Sequence, residues 1–281
     1  MEDTNQLIEQ RYANLAALTE AGIDPFANKF TPSESCDEAK ANYTEDRTVA
    51  VAGRLVSKRE MGKTIFAHIK DISGTIQLFI RKNDVGDEAF KIFKALDLAD
   101  FVGANGGLFT TKTGEISVKA SDFVVLAKAL RPPPDKWHGL RDVEQRYRQR
   151  EVDLLSNEES RSRFVLRSRT VEAARRFMAG RGFIEVETPI LVPVAAGAMA
   201  QPFVTQHNAL ERTLYLRIAT ELYLKRCIIG GLERVFEMGR VFRNEGLDAR
   251  HNPEFSTLES YQAYSDYTDV MEMVESMVFT C

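Results

Sequence analysis

Residues 234–264 constrain the fold of this chain more than any other segment. They read RVFEMGRVFRNEGLDARHNPEFSTLESYQAY, which predicts two β-strands joined by a polar loop. Side chains alternate along a strand, so every second residue lies on the same face. The residues predicted to share one face are Val235, Glu237, Gly239, Val241 and Arg243 on the first strand and Phe255, Thr257, Glu259 and Tyr261 on the second. This face is too charged for a hydrophobic core. It predicts a ligand-binding floor, because Arg pairs with phosphate, Phe stacks on a base and Glu holds an ammonium group.

Composition narrows the class of protein. The 281 residues are 44% hydrophobic and 28% charged, values typical of a globular protein with one large or two ordinary domains. Cys36, Cys227 and Cys281 are scattered, so the sequence predicts neither a disulfide framework nor a zinc site, and a reducing, cytoplasmic location is expected. No secretory signal and no membrane span is expected. A net charge of -4 predicts that any RNA binding uses a local patch.

The first half of the chain is strand-rich. After a helical and loop extension (residues 1–45), the pattern predicts a domain over residues 46–129 with five strands and one helix, residues 82–96, between the third and fourth. The predicted strands are 48–59, 64–71, 74–82, 100–120 and 122–130. This order is typical of an OB-fold, a five-stranded β-barrel, and the alternative is another small Greek-key barrel.

The second half mixes helices and strands. A Pro-rich and basic linker is predicted over residues 130–150, followed by an α+β domain over residues 151–281. Its predicted elements are a helix over 158–182, strands over 183–191 and 214–219, a helix over 220–231 and a C-terminal helix. Asp266 and Asp269 have the spacing of a capping box at the start of that last helix.

The sequence FRNEG followed by RHNPEF resembles motif 2 of the class II aminoacyl-tRNA synthetases, in the form of the lysyl enzymes. The resemblance extends from about Val49 to the end of the chain. It implies an OB-fold anticodon-binding domain followed by a mainly antiparallel class II catalytic domain. It also implies ATP-dependent activation of L-lysine to lysyl-adenylate and transfer to tRNA(Lys), with Mg²⁺. The lysine carboxylate is already ionised, so no general base is needed, and the site has to neutralise phosphate and align the reactants.

The resemblance assigns ATP-binding roles to five residues. Arg243 would contact the α-phosphate and the amino-acid carboxylate as the catalytic residue, because a planar guanidinium suits both. The others are Glu245 at the adenine amino group, His251 and Asn252 in the loop over ATP, and Phe255 stacked on adenine. On the sequence alone, His251 is equally a structural residue and Phe255 equally a core residue.

The resemblance also gives the candidate lysine-binding residues, which are Gly197, Glu221, Glu259 and Tyr261. A buried ammonium group needs a carboxylate partner, and Glu221 and Glu259 are the candidates. Glu221 also suits the N-terminus of a helix through the helix dipole. Three positions depart from the family pattern: Thr220 stands for proline, Ala196 for glycine and Gln201 for arginine.

In the barrel, the candidate anticodon-binding residues are Phe66, Gln77, Lys58 and Arg59, with His68 and Phe79 beside them. Phe66 would stack on a uridine and Gln77 would bond a base edge. The alternative is that Phe66 belongs to the barrel core, as strand phenylalanines usually do.

Other class II enzymes compete with this interpretation. Aspartyl and asparaginyl enzymes share the barrel, but paired Glu residues would repel aspartate. Stand-alone relatives that modify proteins lack the barrel. The sequence FIEVETPIL resembles motif 1 of the family, and the resemblance implies a homodimer interface formed by the motif's helix, its strand and Pro189. Motif 3 is absent, so no metal site is expected in this chain, and the Mg²⁺ ligands are expected in a missing C-terminal part. The alternative function is therefore a catalytically inactive fragment that binds tRNA and dimerises.

Overall fold

The computed structural model describes residues 2–26, 29–134, 140–248 and 250–281, and the chain divides into two compact units between Glu158 and Glu159. Across these described ranges, no helix is both long and apolar enough to cross a membrane.

The first unit opens with helix α1 (Glu2–Glu20). The sequence predicted that Asp24–Phe26 stops this helix, but it ends earlier, at Glu20, and Gly22 caps it. The amide of Gly22 donates to the Thr19 carbonyl and that of Ile23 to the Leu18 carbonyl, both at 3.0 Å, and Gly22 has φ +75°. This is a Schellman C-cap, which favours glycine. Helix α2 (Cys36–Ala41) then begins with a capping box formed by Ser35 and Glu38.

The next five strands form a closed barrel in the order β1-β2-β3-β5-β4, which confirms the OB-fold prediction. They are β1 (Thr48–Met61), β2 (Thr64–Lys70), β3 (Thr75–Arg81), β4 (Phe101–Thr110) and β5 (Ile116–Ala127). Alternating strand residues fill the interior: Val49, Val51, Leu55, Ile65, Ala67, Ile69, Ile76, Leu78, Ile80, Val102, Leu108 and Val118 are all buried. The opposite face of β2 and β3 is left for other contacts.

Two predicted boundaries in the barrel are wrong. The run 100–120 is not one strand, because a turn over Thr111–Glu115 separates β4 from β5, with Gly114 at φ +85°. The fifth strand accordingly starts at Ile116 and not at residue 122. The single predicted helix is two, α3 (Lys82–Val85) and α4 (Asp87–Ala95), since Gly86 between them has φ +88°.

A buried polar cluster ties the end of the barrel together. The ammonium group of Lys128, whose side chain is 0% exposed, donates to the carboxylates of Asp97 and Asp100. Arg11 of α1 donates to the carbonyls of Leu98 and Ala129. These contacts hold α1 against the barrel.

Helix α5 (Val143–Arg148) lies within the predicted linker, and helix α6 (Arg150–Ser156) begins at its last residue. Residues 135–139 of the linker lie outside the described residues. The domain boundaries given by the sequence stay a prediction.

The second unit contains α7 (Glu158–Gly180), β6 (Ile184–Glu185), β7 (Leu191–Val192), β8 (Val204–His207), β9 (Arg212–Leu216), α8 (Glu221–Ile229), β10 (Arg234–Phe242), β11 (Glu254–Gln262) and α9 (Tyr267–Thr280). Two described sheets have the orders β11-β10-β6 and β7-β9-β8. The predicted strand over 183–191 is reduced to two short strands, and β6 pairs parallel to β10. The capping box is confirmed, because Asp266 accepts from the amide of Asp269 and the carboxylate of Asp269 accepts from that of Asp266. The mixed α+β class is also as predicted.

Candidate active site and nucleic-acid-binding face

The hairpin of β10 and β11 forms the centre of the candidate active site. Its antiparallel register pairs Val235 with Tyr261, Glu237 with Glu259, Gly239 with Thr257 and Val241 with Phe255. Directly opposed residues point to the same side of a sheet, so the predicted shared face is confirmed.

The β10 side of this face is not the open floor that the sequence predicted. Glu237 is only 4% exposed, because Arg217 forms an ion pair with its Oε1 and the hydroxyl of Thr188 donates to its Oε2 at 2.6 Å. A Cβ atom at Gly239 would lie 2.4 Å from Nη2 of Arg217, so glycine makes room for the guanidinium. The floor that remains open belongs mainly to β11. Arg217 was not singled out from the sequence, although an arginine inside the apolar run LYLRIA was a signal.

All five candidate ATP-binding residues line one cavity of about 250 Å³, together with Gly246 and Arg250. Arg243 follows the last residue of β10 and extends the ladder, since its amide donates to the Pro253 carbonyl at 2.8 Å. Its guanidinium carbon lies 5.2 Å from the centre of the Phe255 ring. Its buried Nε has no hydrogen-bond partner within the described part of the chain. An unsatisfied buried donor beside a cavity is suited to an anionic ligand.

The loop over this cavity is organised by Asp248, which the sequence did not single out. The Asp248 carboxylate accepts hydrogen bonds from the amides of Arg250 and His251, at 2.6 and 2.9 Å, and lies 2.7 Å from Nδ1 of His251. The Arg250 amide first, and the His251 ring next, hold the pKa of Asp248 below its ordinary value. An ionised Asp248 therefore orients the His251 ring.

The four candidate lysine-binding residues form a second group on the same unit. Gly197 has φ +94°, and a Cβ there would lie 3.0 Å from Cβ of Glu221. Glu221 pairs with Lys225 at 2.6 Å, and the Lys225 ammonium lies 5.7 Å from the centre of the Tyr261 ring. Burial first, and the negative charge of Glu221 next, raise the pKa of Tyr261. Carboxylate and aromatic groups thus already surround one ammonium group of the chain itself.

The departure at Thr220 has a structural consequence. The amide of Thr220 donates to Oε1 of Glu259 at 3.2 Å. Proline at this position has no amide hydrogen, so the substitution adds a donor that fixes Glu259. At Gln201, the backbone contacts the loop after β10: its carbonyl accepts from the amide of Asn244 at 2.7 Å.

The outer face of the barrel carries the candidate anticodon site, a cavity of about 730 Å³ lined by Phe66, Gln77, Lys58 and Arg59 with His68 and Phe79. Phe66 is half-buried on the face opposite the core residues Ile65 and Ala67, so it lies outside the barrel core. Its ring centre lies 5.1 Å from that of Phe79, which is 5.3 Å from that of Phe109. Three aromatic rings thus form a platform beside the cavity.

A hydrogen-bond network holds Gln77, which is 7% exposed. Its Nε2 donates to Glu115 at 2.7 Å, and its Oε1 accepts from the Ser117 hydroxyl at 2.8 Å. The other carboxylate oxygen of Glu115 lies 2.7 Å from Nε2 of His68. The sequence did not single out Glu115, because only the parallel pairing of β3 with β5 brings it to Gln77.

Lys58 differs from the other candidate anticodon-binding residues because its charged group is bonded to the backbone of the protein itself. Its ammonium group donates to the carbonyls of Lys94 and Leu96, both at 2.6 Å, at the C-terminal end of α4. Burial lowers its pKa, and the nearby Glu60 opposes that shift. Arg59, in contrast, is opposite Phe66 in the β1–β2 ladder and exposed. The cationic contribution to the cavity therefore comes from Arg59 and from Lys112 on the β4–β5 turn.

In the described ranges, no group of three or more His, Cys, Asp or Glu residues is arranged to hold a metal ion.

Comparison with known proteins identifies both units. Residues 142–281 match the family of class II tRNA synthetases (D, K and N), and residues 49–126 match the OB-fold nucleic acid binding domain family. Curated relatives include the lysine–tRNA ligases of Listeria welshimeri, 52% identical, and of Staphylococcus epidermidis, 51% identical. The alignments cover 99% of this chain and 58% of each relative, so the chain spans little more than half the length of these relatives. The chain belongs to the class II tRNA synthetase family, with an OB-fold nucleic acid binding domain ahead of its synthetase portion.

Proposed function

We propose that this chain is the portion of a lysine–tRNA ligase that binds ATP, L-lysine and the anticodon of tRNA(Lys). The observation that carries the proposal is the order of side chains along β11. Phe255 lies at the cavity lined by the candidate ATP-binding residues, and Glu259 and Tyr261 lie four and six residues further along the same face. At about 3.4 Å per residue, this face extends over roughly 14–20 Å, the scale of an aminoacyl-adenylate.

In this proposal Arg243 acts as the catalytic residue. Its guanidinium neutralises the α-phosphate and aligns the lysine carboxylate for attack on phosphorus, with pyrophosphate as the leaving group. Phe255 stacks on adenine, Glu245 contacts its amino group, and His251 and Asn252 cover the nucleotide. Glu259 and Glu221 hold the amino groups of lysine, and Tyr261 packs on its stem, close to Gly197.

Mg²⁺ would neutralise the ATP phosphates when bound. The described residues form no acidic cluster that fits the ion.

In the first unit, we propose that Phe66 stacks on an anticodon base while Gln77 bonds a base edge, with Arg59 on the backbone. Lys58 would contribute indirectly, by holding the C-terminal end of α4 beside the cavity. Support comes from the aromatic platform and from the fixed amide of Gln77.

We also propose a homodimer through the motif 1 segment around Pro189, in the cytoplasm. Of the 23 residues of α7, only Ser160 and Met178 are buried, and Phe164 and Leu166 are 49% and 64% exposed. Exposed apolar side chains on a long helix favour an interface.

The second candidate function is binding without catalysis. Two observations favour it: the chain covers only 58% of the length of each relative, whereas the barrel proposed to bind tRNA is closed. Lysine-dependent ATP–pyrophosphate exchange on this chain separates the two, with aspartate and asparagine as control amino acids. Exchange with lysine alone supports the ligase. Absence of exchange in a folded sample that binds tRNA(Lys) supports the binding fragment.

A further inference from the structure

Arg217 connects three segments around the candidate active site. Its backbone amide donates to the Ile190 carbonyl at 2.9 Å, and its carbonyl accepts from the amide of Phe242 at 2.9 Å. Its Nε donates to the carbonyl of Arg240 at 2.8 Å, and its Nη1 donates to the carbonyl of Thr188 at 3.1 Å. Two of these four contacts reach the last residues of β10.

The guanidinium of Arg217 is almost fully enclosed. The residue is 3% exposed and pairs with Glu237, whose second carboxylate oxygen is held by Thr188. It occupies the space that a side chain at Gly239 would fill. Both Nε and Nη1 of Arg217 have hydrogen-bond partners, and a displacement of this buried ion pair would leave charged groups unpaired.

Arg243 depends on this arrangement, since it follows directly after Phe242, where β10 ends. We propose that Arg217 is a positioning residue for the ATP-binding floor: by holding residues 240–242 against the segment 188–190, it fixes the position from which the Arg243 side chain extends. This inference rests on the proposed function. It assigns Arg217 no contact with ATP or lysine.

The test separates positioning from overall stability. Arg217→Met alone leaves Glu237 buried without a partner and is expected to lower Tm by more than about 5 °C. Arg217→Met combined with Glu237→Met replaces the pair with apolar side chains and is expected to keep Tm within about 2 °C. The matched control removes an exposed pair of the same unit, Arg175→Met with Glu185→Met, whose side chains are 46% and 38% exposed. If the buried double variant does not fold, Arg217→Lys replaces it, because lysine keeps a positive charge beside Glu237 but lacks the planar fork that reaches the carbonyls of Arg240 and Thr188.

Two readouts apply to each variant: residue-resolved amide hydrogen exchange and the Kd for ATP. In the buried double variant, the amides of Phe242 and Arg243 should exchange about tenfold faster or more, while the core amide of Phe236 stays unchanged. The Kd for ATP should rise about tenfold or more, because small displacements of a positioned group are costly. The exposed double variant should match the original chain in both readouts.

Unchanged exchange at Phe242 and Arg243 would overturn the inference, and so would faster exchange with an unchanged Kd for ATP. If the original chain itself binds no ATP, the proposed function fails at this site. The exchange data then still decide whether Arg217 holds the end of β10.

Discussion

Replacement of Phe66 by alanine tests the assignment of the barrel face. The side chain lies outside the core, and its ring contacts the Phe79 ring at 5.1 Å. Loss of this aromatic pair should therefore cost about 0.5–1.5 kcal/mol of unfolding free energy, in addition to the lost burial of the half-exposed ring. Stacking on a base is worth about 1–3 kcal/mol, so the Kd for tRNA(Lys) should rise roughly 5- to 150-fold.

The control is Phe101→Ala on the same barrel. Phe101 is 36% exposed, and its ring packs under Arg54 at 4.3 Å, but it does not line the cavity. This variant removes a similar area of partly exposed aromatic surface, so it should leave the Kd for tRNA(Lys) within about twofold. Fluorescence anisotropy of labelled tRNA(Lys) at one fixed salt concentration measures both variants, because protein–RNA affinity depends steeply on salt.

A Kd for Phe66→Ala within twofold of the original value, in a folded protein, would refute the stacking role. Equal losses in both variants would point to general damage of the barrel. A tRNA with an altered anticodon provides the second comparison. The increase in Kd caused by Phe66→Ala should be smaller for this tRNA, because its replaced base already stacks less well on Phe66.

Further predictions concern both units. Arg243→Ala should abolish ATP binding and any lysine-dependent ATP–pyrophosphate exchange, because it removes the proposed contact with the α-phosphate. Phe66→Ala should leave both intact. Glu259→Gln should raise the Kd for lysine tenfold or more, because one charged contact is worth about 1.5–3 kcal/mol; isothermal titration with lysine measures this. Lys128→Met should reduce the unfolding free energy of the first unit by about 3–5 kcal/mol in urea denaturation, since it leaves the buried carboxylate of Asp100 and the partly buried carboxylate of Asp97 without their ammonium partner. Burial opposes ionisation of Asp97, but hydrogen bonds, first from Lys128, bring its pKa below the ordinary value. The stability from this pair is therefore present above about pH 4 and lost as the pH falls through the folded-state pKa, so Lys128→Met should flatten the acid side of the stability profile.

Much of the fold follows from local patterns. The strands of the barrel, helix α7 and the Asp266 capping box depend on side chains a few residues apart, so the period of the sequence predicts them. The turn at Thr111–Glu115 was missed because threonine favours strands, and only Gly114 marks the break. The five residues that the family motifs assign to ATP line one cavity, and two of those assigned to lysine, Gly197 and Glu221, lie beside each other.

Long-range pairs set the limit of such prediction. Arg217 and Glu237 are 20 residues apart, and strand alternation alone gave Glu237 the same standing as Glu259. The two carboxylates are directly opposite across the β10–β11 ladder, where like charges destabilise each other. Pairing Glu237 with a buried arginine neutralises one of them and leaves Glu259, held by the Thr220 amide, as the open negative charge. In the proposed function, that asymmetry lets the face bind one cationic substrate without accumulating two uncompensated carboxylates. Arg217 therefore contributes to the electrostatics of the lysine site as well as to the geometry of the ATP-binding floor.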